Sequence, residues 1–201
     1  MDLLQLVKQL DESVFLYLNN LPHNFLLDKF FLFFSFYPVV TWIVIGIIMI
    51  LFEEKKDKLF IIRLFLALGL AGLLSSGILK PLIKRPRPDL AYGGKVTIIQ
   101  EKPAVIFWNN DYAFPSGHAA IAFAGAYILT QQAILKAKKS KFNKYTGNFK
   151  IFYLIALLTA VSRIYLGKHY PIDVILGGFI GLLMGFVAWK LIDLVFPKNA
   201  Y

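Results

Sequence analysis

The sequence predicts an all-α fold: a polytopic membrane helical bundle of about five transmembrane helices, preceded by an N-terminal interfacial helix. Three observations lead there. Of 201 residues, 58% are hydrophobic and 16% aromatic, at a mean hydropathy of +0.62, outside the balance of a soluble domain. Five separate apolar runs approach or reach the length of a bilayer span. The chain also opens on a strongly amphipathic segment, and it contains no cysteine, so neither a disulfide framework nor a thiolate metal site is available.

Residues 2 to 18 read DLLQLVKQLDESVFLYL, with Leu3, Leu6, Val7, Leu10, Val14 and Leu18 at a helical period and Lys8, Asp11 and Glu12 elsewhere. This predicts a helix lying in the membrane interface. A cleaved signal peptide is disfavoured, because the start is acidic and no basic leader precedes a small-residue cleavage site. Asn19 to Pro22 supply a turn into the first span. That span is expected over Phe30 to Phe52, about 35 Å of helix against a hydrocarbon core of about 30 Å, with Pro38 as a kink. Leu59 to Leu79 form the second, in which Arg63 is expected to snorkel toward the lysine-rich end. The third runs from His118 to Leu135. The fourth, Ile151 to Leu166, is short and carries Arg163, and the fifth is Ile172 to Phe196. In the fifth, Gly177, Gly181 and Gly185 recur every four residues and expose backbone on one face for close helix packing. The expected organisation is a single domain over 1–201, with residues 1–22 interfacial and 25–196 in the membrane.

The formal net charge is +10, but the basic residues flank apolar runs instead of interleaving with aromatics on a polar face. Juxtamembrane cations facing anionic lipid account for them better than nucleic acid does. Alternating the spans places twelve of the 22 Lys and Arg residues with the loop 136–150. Of the other ten, Lys80, Arg87 and Arg163 have chemical reasons to be where they are, leaving seven. This bias predicts a cytoplasmic loop 136–150, with the 80–115 loop and His118 facing outward.

Three polar clusters interrupt the apolar pattern at that face: KPLIKRPRP from Lys80 to Pro88, PSGH from Pro115 to His118, and SRIYLGKHYPID from Ser162 to Asp173. Taken singly, a lysine after an apolar run anchors a helix in the interface and a histidine is a packing residue. Taken together, Lys80, Arg87 and Arg163 form a pocket for an anion with several oxygens, and phosphate suits guanidinium forks. The Ser116 hydroxyl, the bare backbone of Gly117 and the first amides of the third span would point at the same anion. Asp173, four residues after His169, would accept a hydrogen bond from one imidazole nitrogen and leave the other as an oriented nucleophile. Asp173 equally suits a helix-capping acid. His118 would serve as general acid and later as base toward water. His23 stands apart in a turn and is assigned no role. Two histidines and an aspartate also make a plausible zinc or iron ligand set, which the three cations oppose.

The three clusters match K-x-x-x-x-x-x-R-P, P-S-G-H and S-R-x-x-x-x-x-H-x-x-x-D in order, and over roughly residues 25 to 196 the chain resembles the type 2 phosphatidic acid phosphatase superfamily. The resemblance implies a helical bundle and metal-free hydrolysis with no cofactor. Lys80, Arg87, Ser116, Gly117 and Arg163 would hold the phosphate, and His169 would become a phosphohistidine. Asp173 would orient His169, and His118 would be the acid. Soluble acid phosphatases and vanadate-dependent haloperoxidases share the signature, and the apolar spans argue against both. Membrane relatives of similar size act on undecaprenyl diphosphate, phosphatidylglycerol phosphate, phosphatidic acid or the 1-phosphate of lipid A. The expected partner is therefore a phosphorylated lipid in a bilayer, with an outward-facing site in a bacterial cytoplasmic membrane. Residues 89–114, with Gly93, Gly94, Trp108 and Tyr112, are the expected selector. A lipid-phosphate transporter without hydrolysis and a membrane scaffold are the alternatives. The intact His118, His169 and Asp173 weigh against the first, since binding alone needs only the cations.

Overall fold

A computed structural model describes residues 2–35, 38–51, 58–92, 96–99, 112–139 and 150–197. Gly93, Gly94 and Trp108 of the expected selector, and residues 140–149 of the lysine-rich loop, lie outside the described residues. The helices are α1 (Leu3–Asn19), α2 (Phe25–Ser35), α3 (Pro38–Leu51), α4 (Lys58–Gly72), α5 (Lys80–Ile83), α6 (Pro88–Tyr92), α7 (Gly117–Lys139), α8 (Lys150–Tyr165) and α9 (Pro171–Val195). A π-helical segment, Leu73–Leu79, joins α4 to α5.

Among the described residues, three helical stretches are long and apolar enough to cross a membrane: Leu59–Ile83, Gly117–Leu135 and Pro171–Val195. The expected first span is not one straight helix. Helices α2 and α3 fall in it, bent by 73° relative to one another, and they make a fourth candidate if the bent pair is one span. The 16 residues of α8 cover about 24 Å, short of a full crossing.

Helix α7 lies at the centre, packed against α3, α4, α8 and α9. Its Ala119, Ala120, Ala122, Ala124 and Ala126 are fully buried, so the partner helices approach its backbone closely. The glycine stripe of α9 faces this helix as expected. A Cβ built on Gly177 would lie 2.5 Å from the Ser116 carbonyl oxygen, and one on Gly181 2.1 Å from that of Ala120. Ser116 precedes the His118 turn, so this contact brings the start of α7 against the start of α9.

Arg63 does not snorkel. It is buried, donates to Asp193 of α9 at 2.6 Å and lies 4.3 Å from the centre of the Trp189 ring. Near the start of the apolar helix, its guanidinium is stabilised by pairing within the bundle.

The amphipathic pattern of α1 is real, but part of its polar side meets the protein while Lys8 stays exposed and Glu12 partly so. Asp11, Phe15 and Asn19, four residues apart, are buried, while Leu3, Leu6, Val7, Leu10 and Val14 are exposed. The Asn19 side chain donates to the carbonyls of Thr97 at 2.8 Å and Tyr165 at 2.9 Å and accepts the Thr97 amide at 3.0 Å, tying α1 to the end of α8.

Candidate active site

The three motifs fold into three helix ends that meet. The first ends the Leu59–Ile83 stretch. The π-helical turns before it bond one residue further back than an α-helix, shown by the Lys80 amide donating to the Ser75 carbonyl, and they set Lys80 inward, where it is buried. Lys84 then adopts a left-handed conformation, φ 54°, which ends α5 and turns the chain toward Arg85 and Arg87.

The second motif begins α7. Ser116 is fully buried, and its hydroxyl accepts the Ala119 amide at 3.4 Å, so it caps the helix. Its own amide donates to the Asp173 carbonyl at 2.9 Å, which links α7 directly to α9. The amides of Gly117 and His118 sit in the first turn, beyond reach of any intrahelical carbonyl. Gly117 has a further reason to be bare: a Cβ there would lie 2.4 Å from the Ser76 hydroxyl.

The third motif closes α8. Gly167 has φ +73°, and the amides of Gly167 and Lys168 bond back to the carbonyls of Ile164 and Arg163 at 3.0 Å each, the pairing of a Schellman motif. The His169 amide also donates to the Arg163 carbonyl, at 3.1 Å. The five residues between Arg163 and His169 are thus the length of one helix-ending turn, and they bring the two functional side chains to the same place. Pro171 occupies the first turn of α9, where its missing amide costs nothing.

Arg163 and His169 are buried, and Arg163 donates through Nη1 to Ser35 at the end of α2. His118 and Arg87 are partly exposed. The charges of Lys80, Arg87 and Arg163 act on both His118 and His169, which places all five groups within one electrostatic neighbourhood. Burial first, then Lys80, Arg163 and Arg87, hold the His169 imidazole well below its ordinary value of 6.5, so it is neutral near pH 7. Its Nδ1 lies 3.6 Å from Asp173 Oδ2, just outside hydrogen-bond range, and makes no hydrogen bond among the described residues. The Asp173 carboxylate is fully buried. Its Oδ2 accepts the Tyr170 amide at 2.9 Å and its Oδ1 accepts Arg85 Nη1 at 2.7 Å, so the capping use of Asp173 and its proximity to His169 coexist.

All eight residues expected at the site therefore lie where the three helix ends meet. Three others were not anticipated from the sequence: Arg85, Asp11, which pairs with Arg85 at 2.6 Å, and Ser35. The spacing of Asp11, Phe15 and Asn19 was available as a signal, being a ridge of polar and aromatic residues that borders the apolar face of α1. Among the described residues, no three His, Asp or Glu side chains gather as a metal cluster. His23 lies apart, with Nε2 2.7 Å from the Asn19 carbonyl oxygen and Nδ1 3.1 Å from Asp28 Oδ1, in the elbow between α1 and α2.

Residues 60–196 match the profile of the PAP2 superfamily. An undecaprenyl-diphosphatase of Bacillus subtilis is 25% identical over 87% of this chain and 80% of its own length. A lipid A 4'-phosphatase of Porphyromonas gingivalis is 28% identical over 93% of this chain and 75% of its own length. Among solved structures, the crystal structure of Aquifex aeolicus LpxE superposes with a TM-score of 0.65 at 29% identity, covering 90% of this chain and 95% of that one.

Proposed function

The chain belongs to the PAP2 superfamily, and on that premise we propose that this integral membrane protein removes phosphate from a phosphorylated membrane lipid through a phosphohistidine on His169. One observation carries the reading: two imidazoles, one of them buried and neutral, lie within the electrostatic reach of three cations at helix ends of a membrane bundle. A surplus of positive charge next to a neutral nucleophile suits a dianionic ester and its transition state, where catalysis is mainly positioning and charge stabilisation.

Lys80, Arg87 and Arg163, with the Gly117 and His118 amides, hold the phosphoryl oxygens. His169 attacks phosphorus through the nitrogen turned away from Asp173. The P–O bond to the lipid breaks, and His118 gives its proton to the departing oxygen. His118 then takes a proton from water, which attacks phosphorus, releases inorganic phosphate and restores His169.

A lipid substrate draws support from a cleft of about 320 Å³ between α8 and α9, lined by Phe123, Leu157, Val174, Gly178, Phe179 and Leu182 and almost wholly apolar. Pro171 and Val174 form part of its wall, so the cleft reaches the first turn of α9, the turn that carries Asp173. The named relatives are an undecaprenyl-diphosphatase and a lipid A 4'-phosphatase, which supports a lipid phosphate as substrate, and the charge bias of the loops favours a site facing outward from the cytoplasmic membrane.

The test is phosphate release by detergent-purified protein with chelator present, across a panel of lipid mono- and diphosphates, beside His169→Ala and His118→Ala of equal folded yield. The expected result is release by the parent that both substitutions abolish. No release from any lipid, with lipid phosphates still bound, would turn the reading to transport, and release lost on chelation would turn it to a metal site.

A further inference from the structure

We propose that Arg85, clamped by Asp11 of α1, is a positioning residue for this reaction: it fixes the carboxylate of Asp173 and through it the imidazole of His169, which makes α1 part of the catalytic apparatus. The inference rests on the reading of His169 as nucleophile and Asp173 as its orienting acid.

The groups form a closed ring. Arg85 Nη1 donates to Asp173 Oδ1 at 2.7 Å, and Nη2 donates to Asp11 Oδ2 at 2.6 Å. Asp11 Oδ1 in turn accepts the Ile172 amide at 2.8 Å, one residue before Asp173. Asp11 and Asp173 thus hold one guanidinium from two sides, and Asp11 also holds the helix turn that carries Asp173. The ring is itself fixed. The Arg85 Cζ lies 4.1 Å from the centre of the Tyr170 ring, and the Arg85 carbonyl accepts the Ala113 amide at 2.8 Å.

This arrangement separates Arg85 from the phosphate-binding cations. Each of its terminal nitrogens is committed to a carboxylate, so it is not needed for an incoming anion. Its effect falls on Asp173. A fully buried carboxylate is tolerated only where it is paired and hydrogen-bonded. Arg85 supplies the charge at Oδ1, and the Tyr170 amide holds Oδ2 toward His169 Nδ1, 3.6 Å away. A movement of under about 1 Å closes that gap to a hydrogen bond. Only a carboxylate held in this plane can make it without first rotating.

Helix α1 presents Leu3, Leu6, Val7, Leu10 and Val14 outward on a face that flanks Asp11. That face suits the interfacial layer of a bilayer, which would seat the helix and so keep Asp11 on Arg85.

The experiment measures kcat and KM of the full chain in mixed micelles for Arg85→Leu, Asp11→Asn and Asp173→Asn, and for the double variant Arg85→Leu with Asp173→Asn. Loss of an outer partner that orients an active group typically lowers activity about 10- to 100-fold. Arg85→Leu is expected at the upper end of that range and Asp11→Asn at the lower, both in kcat, with KM within about twofold. Because Arg85 acts through Asp173, Arg85→Leu should lower the residual turnover of Asp173→Asn by less than about threefold. An equal loss in both backgrounds, or a rise in KM with kcat unchanged, would overturn the inference, the second by making Arg85 a phosphate ligand. If Arg85→Leu does not fold, the isosteric Asp11→Asn decides alone: unchanged kcat refutes the role. Full activity in His169→Ala and Asp173→Asn would instead remove the underlying reading, a result separable from Arg85 variants that behave like the parent while those two are dead.

Discussion

Replacing Gly181 by alanine should disable the site from two helix turns away. A Cβ at this position would lie 2.1 Å from the Ala120 carbonyl oxygen and 3.0 Å from both the Ala120 carbonyl carbon and the Ala124 amide nitrogen. These are backbone atoms in the first turns of α7, so no rotamer change relieves the clash. Bringing the first contact merely to 3.0 Å requires α7 and α9 to separate by about 1 Å. Overpacking of this kind costs about 1–3 kcal/mol of stability. The larger effect is on geometry, because α7 carries His118 and α9 carries Asp173, and a displacement of about 1 Å between reacting groups costs roughly 10²-fold in rate. The assay is lipid-phosphate turnover together with thermal unfolding in detergent, with Gly69→Ala as control, since a Cβ at Gly69 meets nothing within 4 Å. Gly181→Ala should lose roughly 10²-fold in kcat while remaining folded, and Gly69→Ala should match the parent. If Gly181→Ala turned over at the parental rate, the claim that the α7–α9 contact sets the site would be wrong.

Other outcomes follow from the same structure. Gly178→Leu places a side chain in the apolar cleft beside Phe123, and should raise KM for long-chain lipid phosphates while leaving a short-chain soluble phosphate ester unaffected; equal effects on both would count against the cleft as a chain site. Asp193→Ala leaves the buried Arg63 without its carboxylate and should destabilise by about 3 kcal/mol, and Arg63→Met with Asp193→Leu should recover most of that loss in thermal unfolding. The pH profile of kcat/KM should be bell-shaped. Because burial and three cations lower the His169 pKa, its acid limb lies well below 6.5, with activity present above the limb and lost as pH falls through it. Lys80→Met removes one of those cations and should move the acid limb of the residual activity upward toward 6.5, while a limb unmoved or moved downward would contradict the assignment.

What could be read from the chain divides by range. The motif residues were legible because each cluster is local: a helix-ending turn fixes Arg163 against His169, and a cap fixes Ser116 at the start of α7. The glycine stripe was legible for the same reason, since every fourth residue of a helix shares a face. Contacts between segments distant in sequence were not. Nothing in the spacing of Arg63 shows that Asp193 lies within reach, and nothing near Arg163 indicates Ser35. Helix α1 shows a different limit. Its period revealed two faces, but hydrophobicity decides the inward face only where water is the alternative, and beside a bilayer the apolar side can turn outward while Asp11 and Asn19 find partners within the protein. The bend between α2 and α3 was underestimated because composition measures apolar length and not direction.

The π-helical segment before Lys80 makes the phosphate pocket a matter of counting. An α-helix turns its side chains by about 100° per residue, and a π turn accommodates an additional residue without lengthening the span in proportion. Were the same seven residues of Leu73–Leu79 to relax to α geometry with none removed, the span would still form and still be apolar, yet everything after it would rotate by about 100° relative to α4. Lys80 would then face another quarter of the bundle. The segment thus works as an angular offset, setting the bearing of a cation independently of how deeply its helix sits in the membrane.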